Sequence, residues 1–99
     1  MAGLIVSAQA ELDSAAIVAM LADKVGAGVA TRYRRDFEDL FERLAMFPKS
    51  GARRPGLGRD ARIGVVAPYV VVYDYQHDTV MILRVIDGRR NITRRLVRE

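Results

Sequence analysis

Two runs of β-branched and aromatic residues, close together in the second half of the chain, constrain the fold most strongly. The first run is Val70–Tyr73, the second is Val80–Ile86, and a polar segment at 76–78 lies between them. These residue types favour strands, so the segment predicts a β-hairpin. Alternation places one face of the second strand on Val80, Ile82, Arg84 and Ile86, and the other on Met81, Leu83, Val85 and Asp87. Both faces are mostly apolar, so both need cover.

Two helices are predicted before this hairpin. Ser7 can accept a hydrogen bond from a first-turn amide, and it begins a helix expected over Ala8–Lys24. One face of that helix carries Leu12, Ala16, Ala19 and Met20. A second helix follows from apolar residues at steps of three and four, which are Val29, Tyr33, Phe37, Leu40, Phe41, Leu44 and Phe47. With Gly26 and Gly28 at the corner, the two helices are expected to pack as an antiparallel pair.

The order of elements predicts one α+β domain over residues 1–99. An N-terminal strand at 4–6 precedes the helices, Lys49–Arg59 is a basic loop rich in Gly and Pro, and Ala61–Val66 is a further strand. The predicted fold is a two-helix hairpin packed on a small antiparallel sheet, in the order β-α-α-β-β-β with a short C-terminal tail. The tail at 92–99 fits either a short helix or an extra strand.

The helix pair can cover only one face of the predicted sheet. The other face needs the tail, a second copy or another chain. We expect another chain, because the tail is short and highly charged.

Composition excludes several kinds of site. The chain has no cysteine and one histidine, so a disulfide, a thiolate metal site and a histidine-rich metal site are all excluded. We expect no metal and no cofactor. A membrane span needs about 20 consecutive apolar residues, and the sequence contains no such run. The prediction is a soluble cytoplasmic protein.

Positive charge is concentrated in two blocks. Residues 49–62 carry five basic groups and one acidic group, and residues 84–99 carry six and two. If the sheet brings the blocks together, they form one patch that attracts nucleic acid or an acidic protein surface. Direct nucleic-acid binding stays a secondary expectation, because few aromatic residues lie near the arginines to stack on bases.

Several fragments, taken in order, resemble a known family. They are Ser7–Leu12 (SAQAEL), Ala30–Tyr33 (ATRY), Leu44–Gly51 (LAMFPKSG), Tyr69–Tyr73 (YVVVY) and Ile82–Asn91 (ILRVIDGRRN). Together they resemble the RelE/ParE superfamily of bacterial type II toxins, on the ParE side. Asp87 is a departure, because family members often carry histidine at that position. It removes a possible proton donor and puts an acid–base role for this turn in doubt.

The resemblance implies a toxin that blocks DNA gyrase by binding, without chemistry of its own. It also implies a partner, a ParD-like antitoxin whose C-terminal segment covers the toxin's helices and sheet. The expected gyrase contact is Arg84, Arg89, Arg90, Arg94 and Arg95. The expected antitoxin contact is Leu12, Ala16, Met20, Arg53, Arg54 and Arg62. For Arg84 a structural role, pairing with Asp74 across the hairpin, is the competing interpretation.

The alternative function is a ribosome-dependent messenger RNase, as in the RelE branch. That chemistry needs a general base and an acid as well as cations over the phosphate. The cations are present, but no tyrosine or histidine follows His77. The remaining candidates for a general base are Tyr73, Tyr75 and His77. A plain nucleic-acid-binding module is the third and least favoured function.

Overall fold

A computed structural model describes residues 1–98. Its elements are β1 (Gly3–Val6), α1 (Ala8–Lys24), α2 (Ala27–Met46), β2 (Ala52–Arg53), a 3-10 turn (Pro55–Leu57), β3 (Ala61–Val66), β4 (Tyr69–Gln76), β5 (Thr79–Asp87) and α3 (Arg94–Arg98). The five strands form one sheet in the order β1-β5-β4-β3-β2. The predicted α+β class is confirmed. Strands β2 to β5 are antiparallel as expected, and β1 adds a parallel edge beside β5, so the sheet is mixed.

Helix α1 has the predicted bounds, and the Ser7 hydroxyl accepts a hydrogen bond from the Ala10 amide at 3.0 Å. The corner after α1 is shorter than expected, because α2 already begins at Ala27 and includes Gly28. The reversal takes two residues, Val25 followed by Gly26. The φ of Gly26, 125°, lies in a region that residues with a Cβ rarely adopt, which explains a glycine there.

The β4–β5 hairpin closes through a two-residue turn. His77 and Asp78 both have positive φ, at 52° and 54°, and Gln76 pairs with Thr79 across the turn. Left-handed conformation at both central residues matches the twist of the flanking strands. His77 therefore lies in the turn, as predicted, and it is exposed to solvent.

A bulge in β5 changes the predicted assignment of faces. Val72 pairs with Arg84 but Tyr73 pairs with Ile82, so Leu83 has no residue opposite it. Before the bulge, Ile82 faces the helices, and after it Val85 does so. The faces assigned by strict alternation were therefore wrong beyond Ile82, because the extra residue shifts the two-residue repeat of the strand by one position.

The far face of the sheet is covered by the chain itself, so the expectation that another chain covers it was wrong. Val72 and Ile86 of that face pack with Leu57 of the 3-10 turn and Val97 of α3, and Ile92 and Leu96 lie against them. The tail is charged, but its apolar residues all fall on the side that faces the sheet. The segment 49–59, predicted as a loop, contains β2 and contributes Leu57 of its 3-10 turn to this cover.

Tyr73 forms hydrogen bonds that hold the chain segment after α2 against the sheet. Its side chain is fully buried, its hydroxyl donates to the Pro48 carbonyl at 2.7 Å, and it accepts from the Gly51 amide at 3.0 Å. A Cβ at position 51 would overlap the tyrosine hydroxyl, so glycine permits this approach. Burial raises the pKa of the Tyr73 hydroxyl.

Among residues 1–98, no helix combines the length and apolar character that a bilayer span requires. The same residues include no group of three potential metal ligands of the histidine, cysteine or carboxylate type.

Tyr73→Phe is expected to lower the free energy of unfolding by about 2 kcal/mol, because it leaves the Gly51 amide and the Pro48 carbonyl without this partner. Urea unfolding followed by circular dichroism measures the change. Tyr75→Phe, two residues along the same strand and only partly buried, is the matched control. Equal stability of the Tyr73 variant and the wild type would contradict the assigned role.

Candidate functional site

Strand β5 binds a carboxylate just after the bulge, beyond the point where its pairing with β1 ends. Asp13 of α1 accepts three hydrogen bonds there, from the Val85 amide at 3.0 Å and from Arg84 Nε and Nη2 at 2.7 and 3.2 Å. Both side chains of the ion pair are largely buried, at 13% and 11% exposed for Arg84 and Asp13. Burial alone raises the pKa of Asp13, but these bonds and one from Gln9 outweigh it and hold the pKa below its ordinary value.

Arg84 also reaches the far side of the sheet, where its Nη1 donates to the Leu96 carbonyl at 2.6 Å. One guanidinium therefore connects α1 to α3. The competing interpretation of Arg84, a structural pairing with Asp74, was wrong in its partner, because Asp74 holds Arg98 and Arg84 holds Asp13. The Arg84 side chain is mostly enclosed, so its place in the fold is that of a connector between the two layers.

Arg98 connects the C-terminal helix α3 to the sheet through hydrogen bonds. Its two terminal nitrogens donate to the Asp74 carboxylate at 2.6 and 2.8 Å, and its Nε donates to the Leu57 carbonyl at 2.9 Å. The bidentate bond to Asp74 raises the pKa of Arg98. Gly58, at φ 150°, lies directly under the guanidinium, where a Cβ would collide with it.

The turn after β5 is held by Asp87. Its carboxylate accepts from the Arg89 amide at 2.9 Å and from Arg89 Nε at 3.0 Å, and the Gly88 amide donates to the Pro68 carbonyl at 2.8 Å. The side-chain bond from Arg89 lowers the pKa of Asp87 to about 2. The Arg89 side chain stays 80% exposed, so it presents a partly neutralised cation to solvent.

The two basic blocks meet on the far side of the sheet, as the sequence suggested, but only in part. Arg54 of the first block and Arg90 of the second line one cleft of about 250 Å³, and both are exposed. Arg53 and Arg62 pair with each other, and Arg62 pairs with Tyr73, whose side chain faces the helices. Because cross-strand partners share a face, Arg53 and Arg62 lie on the helix side of the sheet, opposite the cleft. Arg62 Nη1 is bonded to the carbonyls of Gly51 and Lys49.

Arg94 and Arg95 lie on α3, and both are exposed. Together with Arg89 and Arg90 they place four of the five expected gyrase-contact arginines on the turn and the helix that follow β5. The fifth, Arg84, is separated from them by its enclosure between the layers.

The helix pair presents an apolar outer surface. Leu12 is 64% exposed and Met20 is 38% exposed, and Ala16 between them is also exposed. Beside this row, a groove of about 480 Å³ runs between α1 and α2, and alanines such as Ala15 and Ala19 form part of its lining. The three apolar residues predicted to contact a partner therefore lie together on an accessible surface.

Sequence reasoning missed the anchoring roles of Asp13 and Arg98, and it named Asp74 as an ion-pair partner but of the wrong arginine. A signal was present for Asp13, because it follows Ala10 by three residues and precedes Ile17 by four, on the buried side of α1. An acid on an apolar helix face indicates a buried cation partner. For Asp74 and Arg98 the signal depended on the conformation of the tail, which the sequence left open.

Comparisons with known proteins agree on one family. The model of the ParE toxin of the type II toxin–antitoxin system parDE matches residues 4–92. The chain is 37% identical to Toxin ParE3 of Caulobacter vibrioides over 71 residues, which are 72% of this chain and 71% of that protein. The chain belongs to the ParE toxin family. A solved structure titled as the chromosomal ParDE TA system from P. aeruginosa has the same fold, with a TM-score of 0.75. At 21% identity it covers 88% of this chain and 96% of that chain.

Membership of the ParE toxin family confirms the resemblance drawn from the ordered fragments. The match ends at residue 92, so it includes the Asp87–Asn91 turn and stops just before α3.

Asp13→Asn is expected to lower the free energy of unfolding by about 2 kcal/mol at neutral pH, because the Arg84 cation loses its charged partner. The pKa of Asp13 is lowered on folding, so its stabilisation is complete above the unfolded pKa of about 3.9 and is lost as pH falls through the lower folded value. The difference in free energy of unfolding between the wild type and the variant should therefore become smaller below about pH 4. Urea unfolding across pH measures this, with Asp23→Asn, at an exposed position of α1, as the control. A gap that does not change with pH would count against the ion pair.

Proposed function

We propose that this ParE family member inhibits DNA gyrase by binding and is neutralised by a ParD-like antitoxin in the cytoplasm. The observation that carries the proposal is the family match across residues 4–92, which includes the turn with its exposed arginines. The relatives are a toxin and a toxin–antitoxin system by their own titles. The gyrase target comes from the family resemblance, and the surfaces below support a division of labour between target and antitoxin.

The gyrase contact is proposed to be the basic surface after β5, formed by Arg89, Arg90, Arg94 and Arg95. These side chains project from the turn and from α3, and all four residues are exposed. Arg84 is proposed to act as a positioning residue. It holds the Leu96 carbonyl, and so it fixes α3 and the arginines that α3 carries.

The antitoxin contact is proposed to be the outer surface of α1, through Leu12, Ala16 and Met20. Exposed apolar side chains in a row are an unfavourable surface for a lone chain in water, and burial under a partner helix removes that cost. Arg53 and Arg54 are exposed and can meet an acidic antitoxin segment. Arg62 is already bonded to two carbonyls, so its contribution is to shape β2 and β3.

The geometry favours binding over catalysis. Tyr73, one candidate for a general base, is buried and bonded to Pro48 and Gly51, and burial raises its pKa. His77 lies in the hairpin turn, at the opposite end of β5 from Arg89 and Arg90. Tyr75, the third candidate, is partly buried and packs against the core under the helices. These placements weigh against a ribosome-dependent RNase and make inhibition by binding the better-supported function.

The test uses the purified chain, freed of antitoxin, with DNA gyrase and relaxed plasmid. Supercoiling is followed on gels, and linear DNA is sought after the protein is removed. Loss of supercoiling supports the proposal, and trapped linear DNA identifies a poison of the cleaved complex. Unchanged supercoiling with a folded sample would overturn the gyrase assignment and direct attention to ribosome-dependent RNA cleavage.

Arg89→Ala combined with Arg90→Ala is expected to raise the concentration for half-inhibition of gyrase about tenfold, the equivalent of about 1.4 kcal/mol. Antitoxin affinity should change much less. Met20→Asp combined with Leu12→Asp should weaken antitoxin binding and change gyrase inhibition much less, because it places charges in the apolar antitoxin contact. Titration of gyrase and binding calorimetry with the antitoxin give the two readouts. Parallel loss of both activities in either variant would refute the separation of surfaces.

A further inference from the structure

Strand β1 is the terminal strand of the sheet, and the direction of its backbone groups follows from its pairing with β5. The Gly3 and Ser7 amides donate to carbonyls of the β4–β5 hairpin, each at 2.9 Å. Backbone groups alternate in direction along a strand, so the odd-numbered residues bond to β5. The amides and carbonyls of Leu4 and Val6 therefore point outward, away from the sheet.

The stretch of β1 that can accept a further strand is short and symmetric about Ile5. At one end, the Ala2 amide donates to the Ala45 carbonyl at 2.9 Å, so the end of α2 closes the edge there. At the other end, the chain turns into α1. Between these limits, Leu4 and Val6 lie one residue to either side of Ile5. An identical strand that runs antiparallel and is centred on Ile5 would therefore satisfy all the outward amides and carbonyls of both strands.

Strand β1 lacks the charges and prolines by which proteins commonly protect an edge strand. Its sequence, Gly3–Val6, is GLIV, and the side chains of Leu4 and Ile5 are 38% and 49% exposed. The opposite edge strand, β2, is two residues long and carries Arg53. Of the two edges of the sheet, β1 is therefore the one suited to strand addition.

The surface beside this edge is apolar as well. Met46 and Phe47 follow Ala45 at the end of α2, and they are 57% and 58% exposed. With Leu4 and Ile5 they present roughly 400 Å² of apolar surface, which is the size of the largest and often functional patches on soluble monomers. Two copies that cover this surface would bury about 800 Å² in total, below the roughly 1,200 Å² of stable complexes. The area therefore predicts a weak and reversible pair.

The strand that fits this edge is β1 of a second copy. An uncharged apolar edge favours an uncharged apolar strand, and the chain itself supplies one. Antiparallel pairing of two identical edges closes through a two-fold axis, whereas pairing of β1 with the other edge of the next copy would continue into a fibre. The short β2, with Arg53, disfavours that second arrangement.

We propose that two copies of this chain associate through antiparallel pairing of their β1 strands, across a two-fold axis at Ile5. Leu4 of each copy exchanges backbone hydrogen bonds with Val6 of the other, and the two Ile5 side chains face each other. The two sheets become one continuous sheet, with both helix pairs on one face and both α3 helices on the other. This pairing does not depend on the gyrase assignment, because it rests on the edge itself.

Single cysteines test the register, because the chain has no cysteine of its own. Ile5→Cys places two thiols across the axis, where the Cα atoms of a non-hydrogen-bonded pair lie about 4.5 Å apart, within the range of a disulfide. Leu4→Cys places them on diagonal positions roughly 7–8 Å apart, which is too far. Under mild oxidation, Ile5→Cys is expected to form covalent dimers at least about tenfold faster than Leu4→Cys.

Val65→Cys is the matched control for random collision, because Val65 is a β-branched strand residue that is 56% exposed and lies on β3. Its rate of dimer formation should be as low as that of Leu4→Cys. Equal rates for Ile5→Cys and Val65→Cys would overturn the pairing. Equal rates for Ile5→Cys and Leu4→Cys would overturn the axis at Ile5.

Sedimentation equilibrium of the wild-type chain, freed of any partner, tests association without a cross-link. We expect a monomer–dimer equilibrium between about 1 µM and 1 mM. Ile5→Lys should raise the dissociation constant at least about tenfold, because it places like charges directly opposite each other at an edge strand. Val65→Lys, with the same change in net charge, should leave it nearly unchanged. Circular dichroism establishes that both variants are folded.

Amide hydrogen exchange of the wild type locates the contact without any substitution. The amides of Leu4 and Val6 should exchange more slowly as the protein concentration rises. A chain that stays monomeric up to about 1 mM would overturn the proposal, as would a dimer in which these two amides exchange at a rate independent of concentration. A dimer that is lost with Leu12→Asp and Met20→Asp but kept with Ile5→Lys would also overturn it, and would place the contact on the outer surface of α1.

Discussion

The Asp13 carboxylate at the β5 bulge is the interaction on which the arrangement of the layers depends. It accepts a hydrogen bond from the Val85 amide and fixes Arg84, which in turn donates to the Leu96 carbonyl. Removing one member of a buried ion pair leaves a charge without its partner, which is costly. The same contact joins helix α1, with its apolar outer surface, to α3, with its basic one. A small domain thereby keeps two different surfaces in a fixed relation.

Charge pairing determines which arginines are available to a partner. Arg84 and Arg98 are held by Asp13 and Asp74 inside the fold, and Arg89 is partly neutralised by Asp87. The Asp87 carboxylate organises the turn, and the side-chain bond from Arg89 lowers its pKa to about 2. A basic sequence block is therefore only partly a basic surface, because some of its arginines are held in ion pairs within the fold.

Local patterns in the sequence predicted the elements well, because each depends on short-range physics. The Ser7 cap, the apolar periodicity of α2 and the β-branched runs of β3 to β5 gave helices and strands close to the observed ones. The misses depend on contacts between distant residues. An extra residue at Leu83 reversed the predicted faces, and the apolar side of a charged tail covered the sheet. For the candidate site, the arginines could be named from the sequence. Their ion-pair partners could not, because those partners lie far away in the sequence and meet the arginines only in the folded chain.

The most direct test of the two-surface account is site-specific photo-crosslinking. A photoreactive phenylalanine derivative replaces Ala16 on the outer surface of α1 in one sample and Arg94 on α3 in another. The account predicts that gyrase is captured from position 94 but not from position 16, and that the antitoxin is captured from position 16. Capture of gyrase from position 16, with none from position 94, would contradict it.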